Sequence, residues 1–167
     1  MDYHFLASLI YTEEFKDVDI WGVMPSSSGT YNDDLFAVKE RARILMGKKQ
    51  KENILVRHTR LVKSHTIRDN NERLYCDRHL TSIKLNPYFK KGNKLKGKTV
   101  CIIDDYLTNG TSFETARNLL LKAGVRKIIF ISLGKFRRFS GVEYYKQDYE
   151  LIGDIYSDTF SFNFLNE

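Results

Sequence analysis

Apolar positions along the first half of the chain follow two rhythms. Phe5, Leu6, Leu9 and Ile10 recur at helical spacing, which predicts a short helix over 3–15. DIWGVMP at 19–25 is a nearly unbroken apolar run closed by Pro25, which predicts a buried strand. SSSGTYND at 26–33 has loop composition. From Asp33 the helical rhythm returns: Leu35, Val38, Ala42 and Leu45 share one face, and Lys39, Glu40, Arg41 and Arg43 fall elsewhere. Gly47 is a fitting stop for that helix. NILVRHT at 53–59 predicts the next strand.

In the second half, residues 60–79 carry many charges and little periodicity, which predicts a long loop, with room for a short helix or hairpin. LTSIKL at 80–85 predicts a strand, and 86–98 is a basic connector holding Lys90, Lys91, Lys94, Lys96 and Lys98. TVCII at 99–103 predicts a buried strand. Thr111 and Glu114 have capping-box spacing ahead of a helix whose inner face is Phe113, Ala116, Leu120 and Ala123, with Leu119 beside them and Gly124 at its end. RKIIFISL at 126–133 predicts another strand. Phe160, Phe162 and Phe164 alternate with Ser161 and Asn163, which predicts a half-buried one.

Strands alternating with helices predict an α/β domain built on a mainly parallel sheet. In such sheets ligands bind where strands end at their carboxyl side. Both distinctive loops, 25–33 and 104–112, leave such strand ends. The chain has 167 residues, enough for one domain with a real core, and no internal repeat is visible. Lys plus Arg is 27 against 21 for Asp plus Glu, so the net charge of +6 suits an anionic partner: a phosphorylated small molecule, nucleic acid or an acidic protein surface. The two cysteines, Cys76 and Cys101, form no metal pattern, and reduced, cytoplasmic conditions are the expectation. The opening MDYHFLASLI has no basic stretch and too short an apolar run for a signal peptide, and no segment predicts a membrane span.

The densest chemistry is CIIDDYLTNGTS, residues 101–112. Asp104 and Asp105 should point to different sides of a strand end. Together they can accept hydrogen bonds from neighbouring sugar hydroxyls or steer a divalent cation. The turn that follows presents main-chain NH groups and the hydroxyls of Thr108, Thr111 and Ser112, and it opens a helix whose positive end favours a phosphate. Gly110 lets the backbone bend tightly and approach a ligand. Hydroxyl acceptors and a phosphate nest at this spacing suit a phosphorylated ribose. A strand ending in two acids and a capped turn is the structural alternative for the same residues.

Apolar residues, two acids, two variable residues, then Thr-x-Gly-x-Ser/Thr resembles the phosphoribosyl pyrophosphate (PRPP) motif of type I phosphoribosyltransferases, here Ile102 to Ser112. The order of segments over about 17–135 is similar to members of the competence-protein F type. Asn109 stands where the family usually has Thr or Gly, and Tyr106 stands where a small or aliphatic residue is common. The resemblance implies a Rossmann-like parallel sheet with a small hood: a single domain over 1–167, with its core at about 17–135 and its hood from 1–16 and 136–167. It implies that Thr108, Asn109, Gly110, Thr111 and Ser112 hold the 5′-phosphate. It further implies that Ser26, Ser27, Ser28 and Gly29 hold pyrophosphate, although this loop lacks the family's usual basic residues. Asp104 and Asp105 would act on the ribose and, through ribose or water, on Mg2+. A catalytic loop over 60–79 would bring a cation to the leaving pyrophosphate, with Lys63 and Arg68 preferred over Arg60, His65, Arg73 and Arg78. Lys135 and Phe136 would meet the base.

Two functions follow from the resemblance. One is transfer of the phosphoribosyl group from PRPP, with Mg2+, to a nitrogenous base or other acceptor. The other is a non-catalytic or regulatory protein that binds PRPP or a nucleoside 5′-monophosphate and works with nucleic acid or a protein partner, a second copy of itself included. The clusters Lys48-Lys49-Lys51, Lys90–Lys98 and Lys135–Arg138 favour the second.

Overall fold

In the computed structural model, residues 2–61, 75–135 and 145–165 are described. The central strand is β4 (Thr99–Leu107), flanked in parallel by β1 (Ile20–Val23) and β5 (Lys127–Lys135). Register pairs Ile20 with Val100 on one side and Thr99 with Lys127 on the other. The chain is therefore α/β with a parallel three-stranded sheet. Side chains of β4 alternate between two cores, as a strand covered on both faces must. Val100 and Ile102 join one cluster with Phe113, Ala116, Leu119 and Leu120 of α5 (Thr111–Lys122). Cys101 and Ile103 join the other, with Trp21, Val23 and Leu35.

That second face is covered by α3 (Asp33–Leu45) and by α1 (Asp2–Tyr11), whose Leu9 is fully buried there. The expected helix over 3–15 is in fact two: α1, and the single turn α2 (Glu13–Lys16). Asn32 begins α3, its side chain accepting from the backbone NH of Asp34 and of Leu35.

Outside this parallel sheet, β2 (Leu55–Arg57) and β3 (Ile83–Leu85) form an antiparallel pair of their own. Among the described residues no backbone ladder joins β2 to β1. The buried side chain of Asn53 stands in for it. Its Oδ1 accepts from Val23 NH at 2.7 Å, and its Nδ2 donates to the Val23 carbonyl at 2.9 Å and the Leu55 carbonyl at 2.8 Å. Three main-chain groups of two strands are thus satisfied by one amide. Residues 77–80, expected partly in loop and partly in strand, form the single turn α4 (Asp77–Leu80).

The alternating phenylalanines fall on β7 (Ser161–Phe164), which pairs antiparallel with β6 (Tyr149–Ile152). β6 carried no distinctive pattern in sequence. This pair is fastened to α5 by polar contacts. Glu114, almost fully buried, accepts from Gln147 NH at 2.8 Å and from Arg117 at 2.7 Å. Arg117 also donates to Asp148 at 2.6 Å, and Asn118 Oδ1 accepts from Tyr149 NH. Glu114 is therefore no partner in a capping box. The residue that opens α5 is Gly110, at φ 77°, with no side-chain cap. The terminal segments lie on opposite faces of the sheet, α1 with the Cys101 cluster and β6 with the Val100 cluster.

Candidate functional site

β4 extends four residues beyond its expected end because its pairing with β5 continues: Asp104 stands opposite Ser132, Tyr106 opposite Gly134 and Leu107 opposite Lys135. The two acids therefore sit in the last part of a strand rather than in the turn after it. Period-two alternation sends them to opposite faces. Asp105 is exposed and lines a cleft of about 330 Å³ shared with Asn32, Asp34, Leu35, Arg41 and Leu133. Asp104 takes the other face, beyond Val100 and Ile102. Asp104 Oδ1 accepts from Asp105 NH at 3.0 Å, and Asp105 Oδ1 accepts from Tyr106 NH at 2.7 Å.

Asp104 is half-buried, and its removal from solvent, reinforced by the Asp105 charge, pushes its carboxyl up to about 7. The positive charge of Arg57 opposes the rise. Arg57 is itself buried at the end of β2, beside Ser82, His79 and Arg78. Burial, and then repulsion from Arg78, lowers Arg57 to about 10. Burial, and then the two arginines, lowers His79 to about 3, so its ring is neutral. Arg57 Nε has no hydrogen-bond partner among the described residues. This cationic group on the Asp104 face was missed in the sequence. The available signal was a lone arginine closing the apolar run ILV.

At the turn, Gly110 is buried and left-handed, and its carbonyl accepts from Glu114 NH at 2.9 Å. Thr108 is exposed, Asn109 and Ser112 are half-buried and Thr111 is buried. The Thr111 carbonyl accepts from Thr115 Oγ1 at 2.9 Å and from Cys76 Sγ at 3.4 Å. The turn therefore offers the start of a twelve-residue helix together with the hydroxyls of Thr108 and Ser112.

The serine loop begins beside the acids, since Met24 NH donates to the Ile103 carbonyl at 2.9 Å. It is folded on itself: Ser26 NH donates to the Thr30 carbonyl, and Ser28 Oγ lies 2.6 Å from Ser26 Oγ and 3.0 Å from Thr30 Oγ1. Gly29 is left-handed at φ 88°, and Leu61 NH donates to the Ser27 carbonyl at 2.9 Å. A Cβ on Gly29 would stand 3.9 Å from the Arg60 side chain. The stem of Arg60 thus lies beside this loop, which has no basic residue of its own. The structure brings Asp104, Asp105, the turn 108–112, the loop 26–29 and Lys135 to one end of the sheet. Lys63, Arg68 and Phe136 lie outside the described residues.

No cluster of three or more metal-binding side chains occurs among the described residues. Two carboxylates splayed to opposite faces do not make a cage for Mg2+. They fit an ion held mainly by ligand phosphates and water, which is how Mg2+ is usually kept. The connector lysines lie at the start of β4, away from this end. Three of them have internal partners: Lys90 with Asp154 at 2.6 Å, Lys94 over the Tyr88 ring at 3.4 Å and Lys98 with Asp19 at 3.7 Å. No described helix is long and apolar enough to cross a membrane.

No family model matches the chain, and no curated protein is significantly similar to it. Among solved structures, it is similar to the allosteric regulatory enzyme of purine biosynthesis, at 16% identity and a TM-score of 0.46. The match covers 77% of this chain and 24% of that one, so the chain spans about a quarter of its length.

Proposed function

We propose that this protein binds a phosphorylated ribose, as PRPP or a nucleoside 5′-monophosphate, and transfers the phosphoribosyl group to a nitrogenous acceptor. The observation that carries this reading is the end of β4, where two carboxylates splay to opposite faces just ahead of a left-handed glycine that opens a helix. The acids accept from ribose hydroxyls. The helix start and the hydroxyls of Thr108 and Ser112 receive the 5′-phosphate. Loop 26–29, with Arg60 beside it, receives pyrophosphate, and Mg2+ enters with the ligand. In the transfer, an acceptor nitrogen forms a bond to the anomeric carbon as the carbon–oxygen bond to pyrophosphate breaks. The electron pair leaves with pyrophosphate, and the acceptor's proton passes to solvent. Cations near the leaving group stabilise its charge, as Arg60, Lys63 or Arg68 would here. The ordering of segments supports a place beside the competence-protein F type within the type I phosphoribosyltransferases.

Binding without transfer is the second reading, and nucleic acid or a protein would then be the working partner. The long connector supports it, since Lys91 and Lys96 are exposed there. One experiment separates the two: calorimetric titration with PRPP and Mg2+, followed by a pyrophosphate-release assay across a nucleobase panel. Saturable binding with release supports transfer, and binding without release supports the second reading. Gly110→Asn tests the site, because asparagine tolerates left-handed φ while its side chain obstructs backbone approach. We expect at least about 30-fold weaker PRPP binding, roughly the loss of one or two charge-assisted hydrogen bonds. Unchanged affinity would remove the turn from the site.

A further inference from the structure

We infer that Tyr106 is the stacking platform for the planar base of the ligand, a role that depends on the turn 108–112 seating a sugar phosphate. Period-two alternation puts Tyr106 on the same face of β4 as Asp104, two residues further on, at a rise of roughly 6.8 Å. That is about one sugar's width beyond the carboxylate assigned to the ribose hydroxyls. Its cross-strand partner is Gly134. A Cβ built on Gly134 would stand 2.5 Å from Tyr106 Cε1 and 2.7 Å from Cδ1, so the ring occupies the space that any other residue at 134 would fill. Lying over bare backbone in this way, the ring is held in place by β5, yet Tyr106 keeps 54% of its surface exposed. Lys135, paired with Leu107 one position further on, falls on the opposite face of the sheet from Tyr106 and Gly134. An exposed aromatic held in place beside a sugar site is suited to a flat heterocycle. A nucleobase has the ring face that stacks on such a platform.

The test compares a ligand with a base against the same ligand without one. The full chain, its Tyr106→Ala, Tyr106→Phe and Gly134→Ala variants are each titrated by calorimetry with adenosine 5′-monophosphate and with ribose 5-phosphate. Thermal melts monitor folding. Tyr106→Ala should weaken adenosine 5′-monophosphate about 10- to 100-fold, the range for loss of one base–aromatic stack, and leave ribose 5-phosphate within about twofold. Tyr106→Phe should keep both affinities, because stacking does not need the hydroxyl. Gly134→Ala should behave like Tyr106→Ala, because its methyl displaces the ring. An unchanged ratio of the two affinities in Tyr106→Ala, or tighter nucleotide binding, overturns the platform while leaving the sugar-phosphate site standing. If the unaltered protein binds neither ligand, the sugar-phosphate reading falls, and the platform with it.

Discussion

Replacing Asp104 and Asp105 together by asparagine should give a protein that melts higher and no longer holds its ligand. The stability gain comes from Asp104, whose folded carboxyl is pushed up to about 7, well above the ordinary aspartate value of 3.8. Between those two pH values the folded state binds the proton that the unfolded chain releases. The contribution is therefore fully present at low pH and is lost as pH rises through about 7. At neutral pH, asparagine removes that loss. A gain of about 1–2 kcal/mol, or roughly 2–6 °C in melting temperature, is expected at pH 7.5 and should vanish near pH 4. Binding should fall by at least about 100-fold, since two charge-assisted hydrogen bonds to ribose hydroxyls are lost. Below pH 7 the unaltered protein should release a proton when PRPP binds, because hydroxyl donors and Mg2+ favour the ionised carboxylate. Calorimetry in two buffers of different ionisation enthalpy reads that release directly. A double variant that melts markedly lower would make the acids structural, and the ligand site would lose its chief support.

The largest loss of stability should come from Asn53→Ala. The side chain is 5% exposed and is bonded to one NH and two carbonyls that otherwise lie buried between β1 and β2. Leaving the Val23 NH and carbonyl without that partner should cost about 3–5 kcal/mol, taking roughly 1–3 kcal/mol for each, while the Leu55 carbonyl keeps its bond from Tyr31 Oη at 2.9 Å. The urea midpoint should drop by about 1.5–2 M at an unchanged slope, read by circular dichroism. Asn53→Asp should be nearly as damaging, because a carboxylate cannot donate to the Val23 and Leu55 carbonyls. A loss below about 1 kcal/mol would mean that β1 and β2 close a backbone ladder of their own once the amide is gone.

Much of the site was legible in one stretch of sequence because its parts are local. Ile102 to Ser112 contains the strand end, both acids, the left-handed glycine and the helix start, and strand geometry alone sends Asp104 and Asp105 to opposite faces. The apolar runs at 20–23, 99–103 and 127–133 announced the parallel sheet because strands buried on both faces have few polar interruptions. The helical face at 35, 38 and 42 announced the cover of α3 for the same kind of reason. What depended on distant residues could not be read this way. Asn53 looked like the first residue of a strand, and only the approach of Val23 and Leu55 makes its amide a bridge between two sheets. Arg57 looked like an ordinary strand residue until β3 and α4 enclosed it beside His79 and Arg78, a cationic group across from Asp104. Glu114 had the spacing of a capping residue, but burial against Gln147 and Arg117 claimed its carboxylate. Sequence by itself determined most of the segments that form elements and where the glycine turn ahead of α5 lies, because propensity and periodicity act within a few residues. Tertiary structure alone decided what Asp104 faces, how Asp104 titrates and how Tyr106 is seated on Gly134, because burial and charge are properties of whatever packs alongside.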